Sequence, residues 1–230
     1  MQEGSEKGFF IGIKGGNNDE SHNHNDIGCP YVYLDGEPVV IDAGAGTYTI
    51  KTFSPERYDI WTMQSGWHSL PEINGFAQQA GVTFKSMDFK WGDDGGKAWA
   101  SMNISGAYPS EAGIESYTRK ISLDRFKENV RIEDDIKLYE IGGESLFHLL
   151  LNENPENAGP GIIEVKSGNK RVLIEYDSDL LQLGVEEKDL SADKKLYDSW
   201  GNTIYRLNFT PLVQSTCYYI CFQICKFAGE

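Results

Sequence analysis

The chain is cut by turns into many short runs of β-forming residues, and almost nothing in it repeats at helical spacing. That pattern restricts the fold more than any other feature, because short strands with regular turn signals bury an apolar face only by stacking sheets. Phe9-Phe10-Ile11-Gly12-Ile13 reads as a strand and is followed by a glycine-rich turn over residues 14–18. Tyr31-Val32-Tyr33-Leu34 and Pro38-Val39-Val40-Ile41 flank Asp35-Gly36, and Asp-Gly between two such runs is a strong hairpin signal. Further strands are expected over 81–89, 97–104, 116–122, 129–137, 145–151, 161–165, 171–176, 203–208 and 216–227. The best helical candidate is 56–64, with Pro55 at its start and Ser54 as cap. The expectation is an all-β fold: one large antiparallel β-sandwich, a supersandwich with few short helices, spanning residues 1–230 as a single domain.

Composition narrows the class further. The chain has 230 residues, 40% hydrophobic and 24% charged, as in soluble globular proteins. No apolar run approaches the roughly 18 residues of a membrane span. The polar residues 2–8 contain no apolar signal core, so the chain as it stands carries no export signal. Its net charge of −14 argues against nucleic acid and against anionic membrane surfaces, which require a basic face.

Cys29 stands alone, whereas Cys217, Cys221 and Cys225 recur every four residues. On one strand such neighbours lie roughly 13 Å apart, too far for a disulfide. The spacing also departs from short zinc-binding patterns, so these three read as small core residues sharing one face.

The unusual polar chemistry lies between residues 14 and 75, and the remainder reads as scaffold. Two of the four histidines fall in His22-Asn23-His24-Asn25-Asp26. In an extended strand, residues i and i+2 share a face, so both imidazoles would point one way, toward a metal or a proton-transfer site. His68 follows Gly66-Trp67, and Asp42 ends the apolar run Val39-Val40-Ile41 before Ala-Gly-Ala-Gly. Two imidazoles and a carboxylate with an open fourth position form a familiar zinc arrangement. Plainer readings stay open: a solvated polar loop, a turn aspartate, and a histidine packed beside Trp67. His148, inside Leu146-Phe147-His148-Leu149-Leu150, reads as structural.

The runs Gly15-Gly16-Asn17-Asn18-Asp19-Glu20-Ser21-His22-Asn23-His24-Asn25-Asp26-Ile27-Gly28, Tyr33-Leu34-Asp35-Gly36-Glu37-Pro38, Ile41-Asp42-Ala43-Gly44, Arg57-Tyr58-Asp59-Ile60-Trp61 and His68-Ser69-Leu70-Pro71-Glu72-Ile73-Asn74-Gly75 together resemble the heparinase II/III-like polysaccharide lyases. That family includes heparin, heparan and alginate lyases. The resemblance is close over about residues 14–75 and only general beyond. It implies a C-terminal antiparallel β-sandwich, separated here from the N-terminal α/α toroid that carries the family's principal catalytic tyrosine. It implies a zinc held by His24, Asp42 and His68 in an organising role. It also implies catalytic positions at His22 and Tyr58, with Tyr48 the less favoured tyrosine. The implied partners are an acidic polysaccharide or oligosaccharide substrate and the toroid domain of the same protein. The implied location is periplasmic or secreted.

The implied reaction is β-elimination at a uronic acid. A base takes the C5 proton beside the carboxylate, and the C4–oxygen bond breaks. Neutralising the carboxylate is the main electrostatic task. A tyrosine base needs a nearby positive charge, since its phenol ordinarily titrates near 10; His22 and Arg57 are the local candidates, and Arg57 can equally form a surface ion pair with Glu56 or Asp59. Lys14, Lys51 and Arg57 are the local cations available to attract a polyanion. Two alternatives remain. One is a cupin-like metal-dependent oxygenase or isomerase, although residues 28, 29 and 72 (Gly, Cys and Glu) break its motifs. The other is a non-catalytic carbohydrate-binding sandwich, for which 12 tyrosines and five tryptophans supply aromatic surface.

Overall fold

A computed structural model describes residues 7–227; most of the polar run at 2–8 lies outside the described residues. The strands in chain order are β1 (Phe9–Ile13), β2 (Asn17–Asn18), β3 (Pro30–Leu34), β4 (Glu37–Val40), β5 (Gly81–Lys85), β6 (Met87–Asp93), β7 (Lys97–Asn103) and β8 (Ile114–Asp124). They continue as β9 (Asn129–Leu138), β10 (Phe147–Leu151), β11 (Glu156–Gly159), β12 (Ile162–Ser167), β13 (Lys170–Glu175), β14 (Leu181–Asp189), β15 (Thr203–Pro211) and β16 (Cys217–Lys226). A single α-helix, α1 (Lys194–Trp200), is present among the described residues.

An eight-stranded antiparallel sheet, in the order β11-β12-β13-β16-β9-β8-β7-β6, forms one layer. Two three-stranded sheets, β1-β3-β4 and β10-β15-β14, form the other. They meet where the Ile41 amide donates to the Leu150 carbonyl at 2.9 Å, just past the end of β4. Alternation drives the packing. Along β9, Val130, Ile132, Ile136 and Leu138 point inward, and along β16, Tyr218, Ile220, Phe222 and Ile224 do the same. These meet Val32, Leu34, Val39, Phe147, Leu149, Leu207 and Phe209 from the facing sheets in one apolar core. The expected all-β sandwich is therefore present.

The Asp35-Gly36 hairpin forms between β3 and β4, with φ of 53° and 87°, the left-handed pair that a two-residue turn needs. Three expectations change. The predicted helix at 56–64 is instead a chain of 3-10 turns at Pro55–Asp59, Trp61–Met63 and Ser65–Trp67, although Ser54 does accept a bond from the Glu56 amide as a cap. The run lacks an apolar stripe of helical period, so only single turns close. Helix α1 and strand β14 had no strong signal: α1 has seven residues, and β14 is mostly polar and half-exposed. The three cysteines do share a face of β16, but it is the outer one: Cys217 is exposed, and Cys221 and Cys225 are half-buried. The bulky Tyr218, Ile220, Phe222 and Ile224 claim the inner face, and a period of two admits only one set.

At the free edge of the large sheet, β6 exposes Phe89 and Trp91. Its pairing to β7 is broken by a register shift between Met87 and Lys90, where Asp88 adopts φ 53°.

The two faces of β16 give a test. Ile220→Ala is expected to cost about 2–5 kcal/mol in urea unfolding, whereas Cys217→Ser should change stability by less than about 0.5 kcal/mol. Equal losses would refute the assignment of faces.

Candidate metal centre and cleft

The segment that carries the first two histidines is a pinned loop, not a strand. The Lys14 amide donates to the Cys29 carbonyl at 3.1 Å, the Asn25 amide donates to the Met63 carbonyl at 3.0 Å, and Gln78 holds Ile27 through both its amide oxygen and nitrogen, at 3.1 and 2.7 Å. His22 turns the chain with φ 62°. As a result the two imidazoles do not share a face. His24 is buried, while His22 is exposed and stands edge-on to Phe53 at 6.1 Å between ring centroids. The same-face expectation is therefore corrected, because a left-handed residue breaks the strand period on which it rested.

His24 instead meets two distant residues. Its ring centroid lies 5.4 Å from that of His68, and ligand atoms of His24, Asp42 and His68 all fall within 4.8 Å of one another. Each side chain is delivered by a different loop. Asp42 follows β4 and is fixed by the Gly44 amide, which donates to Oδ1 at 2.6 Å and leaves Oδ2 turned to the centre, 3.3 Å from His68 Nδ1. His68 follows the 3-10 turns and is fully buried. Its Nε2 lies 3.1 Å from the Thr62 carbonyl, which can only accept. The ring therefore donates from Nε2 and presents Nδ1 toward Asp42 and His24, and that buried nitrogen has no hydrogen-bond partner. A backbone carbonyl fixing one ring nitrogen while the other faces a cluster is how ligating histidines are oriented. By this donor chemistry, two imidazoles and one carboxylate fit a metal ion such as zinc.

The electrostatics agree. Burial penalises the charged form of His24, and the neighbouring His68 adds to this, so its pKa falls to about 4. Burial opposes charge on Asp42 and His68 too, but each outweighs it in the other: the Asp42 carboxyl is held well below the usual range and His68 is raised. The carboxylate thus draws positive charge, a proton or a metal ion, to the His68 nitrogen.

The remaining candidates frame a groove. Tyr58 directs its hydroxyl at the Asn23 side-chain oxygen, 3.5 Å away. With Asn25, Gln64, Trp67, Glu72 and Arg206 it lines a cavity of about 470 Å³ beside the trio. Arg206 lies over the Trp67 ring at 4.3 Å and pairs with Glu186 at 2.6 Å. Tyr48 is separate: it packs on Phe53 at 5.4 Å, with Lys195 over its ring. Arg57 makes no surface ion pair with Glu56 or Asp59; it donates to the Thr52 and Asn23 carbonyls at 2.8 and 2.5 Å, and Lys51 pairs with both acids. Lys14 pairs with Asp26 at 2.9 Å. His148, read from sequence as structural, is buried and bonded through Nδ1 to Asn208 at 2.8 Å, while its Nε2 lies 4.0 Å from Glu72.

Two residues behind the site escaped the sequence reading. Arg119 and Asp134, both buried, face each other on β8 and β9. Arg119 donates twice to Asp134, at 2.6 and 2.8 Å, and through Nη1 to the carbonyls of Gly28 and Ser69. Those carbonyls belong to the two loops that carry His24 and His68. Gly28 sits at φ 85°, and a Cβ there would meet Ile104 at 2.9 Å. The signal was present in the alternation: Arg119 falls between Tyr117 and Ile121, and Asp134 between Ile132 and Ile136, all at inward positions.

The architecture has counterparts among solved structures. Heparan sulfate lyase HepC from Pedobacter heparinus superposes with a TM-score of 0.70 at 17% identity, over 98% of this chain and 36% of that one. A structure of heparinase III gives 0.65 at 16% identity, over 96% and 34%. The fold is thus the one shared by these lyase structures, and the chain spans about a third of their length. No protein-family profile matches the chain, and a search of curated proteins finds no match. The cupin-like alternative loses its footing. The sheets stack as open layers, and His22, which its motif requires beside His24, is exposed and outside the group of His24, Asp42 and His68.

Two predictions follow from burial. Arg119→Met strands the buried Asp134 carboxylate and should cost about 3–5 kcal/mol in urea unfolding, with Asp134→Leu added recovering part of it; a single variant within about 1 kcal/mol of wild type would show that the pair is no anchor. Burial also lowers His148 to about 4. The unfolded chain takes up protons on His24 and His148 near pH 6.5 but the folded one only near 4, so the stability of chelator-treated protein should fall over that window by about 3 kcal/mol per histidine. Asp26, raised by burial, works in the opposite direction and reduces the total. His148→Gln should remove roughly half of the histidine-driven fall, and an unchanged pH slope would contradict it.

Proposed function

We propose that this chain is the sandwich half of a polysaccharide lyase that cleaves uronic-acid polysaccharides, glycosaminoglycan or alginate, by β-elimination. It supplies His22 and Tyr58 to a cleft completed by an α/α toroid of the same protein, which is periplasmic or secreted. The observation that carries this reading is the convergence of His24, Asp42 and His68 from three loops within a fold shared with heparan sulfate lyase. A bound zinc would cross-link those loops and fix their order.

The chain's own residues contribute by position. Asn23 is held by Arg57 through its carbonyl and by the Tyr58 hydroxyl through its side chain, so the tyrosine and the histidine loop are set against one another. Tyr58 stands at the groove wall, where a phenol can take the C5 proton or return one to the leaving oxygen. His22 is exposed next to that loop and free to meet substrate. Trp67 offers an aromatic wall along the same groove.

The test is elemental analysis of the purified chain and of His24→Ala. About one zinc per chain in the wild type and at least a tenfold loss in the variant are expected; equal metal in both would overturn the ligand assignment. With the toroid domain supplied, polyuronates should develop the ultraviolet absorbance of an unsaturated product, and Tyr58→Phe should lower that rate at least 100-fold at unchanged metal content.

A further inference from the structure

The cations beside the metal trio are already committed: Lys14 to Asp26 and Glu20, Lys51 to Asp59 and Glu56, and Arg57 to two carbonyls. Attraction for a polyanion must come from elsewhere on a chain with 21 basic and 35 acidic residues.

Two adjoining pockets reverse that balance. One, of about 560 Å³, is lined by Lys7, Arg125, Lys170 and Lys226 against Asp35 and Glu128. The other, of about 280 Å³, is lined by Lys97, Lys120, Lys127 and Arg131 against Asp124 and Glu133. They share Leu123 and flank the turn between β8 and β9. Four cations to two carboxylates in each pocket is an excess of base on a chain that is acidic as a whole. Most of these cations have partners: Lys170 with Asp35, Lys226 with Glu128, Arg125 with Asp93, Lys97 with Asp124, and Lys120 and Arg131 with Glu133. Several are exposed, with separations of 3.3–3.8 Å, a class worth little and open to exchange with an incoming anion. Lys7 and Lys127 make no ion pair with a described residue. Aromatic surface lies alongside: Phe126 is 85% exposed at the turn, and Trp99 lines the second pocket. Exposed rings among cations suit a sugar chain bearing carboxylate or sulfate groups, which offers C–H faces for stacking and anions for pairing.

This surface is remote from the metal trio. Its first pocket includes Phe9 at the start of β1, whereas the histidine loop is bonded to Lys14, the residue after β1 ends. Five strand residues separate them by roughly 17 Å.

We propose that this end of the sandwich is an accessory binding site for a second segment of an acidic polysaccharide. The choice of polysaccharide as the polyanion rests on the lyase reading. Local charge would hold the chain there while another part of it reaches the cleft, and binding would weaken steeply with salt, as it does for any linear polyanion that sheds counterions.

The experiment titrates heparan sulfate and alginate oligosaccharides against the full chain by fluorescence anisotropy over a salt series. The probes meet wild type, the triple variant Lys7→Ser/Lys97→Ser/Lys127→Ser, and a charge-matched control, Lys85→Ser/Lys137→Ser/Lys194→Ser, at exposed lysines outside both pockets and the metal trio. The expected result is at least tenfold weaker binding and a shallower salt slope for the triple variant, with the charge-matched control binding within about twofold of wild type. A triple variant that binds as wild type does, or wild type that binds neither oligosaccharide, would overturn the accessory site, and zinc in that same wild type would leave the lyase reading standing. Lysine-dependent binding by a chain without zinc would sink the lyase reading and keep the site. Duplex DNA of equal charge binding as tightly as the oligosaccharides would refute the assignment to polysaccharide.

Discussion

A buried arginine and aspartate hold this molecule's working end to its scaffold. Arg119 and Asp134 sit opposite each other in the middle of the large sheet, away from water. Taking both charges out of water is expensive, and the arrangement persists only because nearly every donor and acceptor is used. Asp134 takes two bonds from the guanidinium and one from the Tyr117 hydroxyl. The remaining arm of Arg119 reaches the Gly28 and Ser69 carbonyls, which would otherwise be polar groups buried without partners. One side chain therefore sets the spacing of two loops that have no regular structure of their own.

The chemistry of the trio follows from that spacing. His24 and His68 come from loops tied to Arg119, and Asp42 comes from the strand end beside them, where Ile41 bonds to Leu150. Ser69 adds a second tie, its hydroxyl accepting the Leu150 amide at 2.9 Å. A cluster assembled from three loops needs such bracing, because loops are the most mobile parts of a fold. Here the bracing is a rigid eight-stranded sheet.

Much of this was legible in the amino-acid order. The Asp35-Gly36 hairpin and most strands follow from turn chemistry and alternation, and residues 24, 42 and 68 could be singled out as a set. What could not be read has physical causes. The left-handed turn at His22 is a backbone state that histidine's identity does not announce, so two imidazoles expected on one face separate. The helix expected at 56–64 had a good cap but no apolar stripe to bury. The outward placement of the β16 cysteines depends on which of two alternating sets wins the core, and the larger side chains won. Arg119 and Asp134 were overlooked because charges are taken as outward-facing, yet each interrupts an inward apolar row at matching positions on neighbouring strands. A complementary pair of that kind is a signal for a buried bridge.

The irregular edge strand β6 carries one more consequence. Phe89 and Trp91 project from a sheet margin whose backbone groups face solvent, a natural template for recruiting a strand from another copy. The kink at Asp88 and the shift before Lys90 spoil the straight ladder that recruitment requires. Straightening that kink would open the margin to edge-to-edge pairing, and colloidal behaviour at high concentration would then be governed by seven residues that take no part in the chemistry.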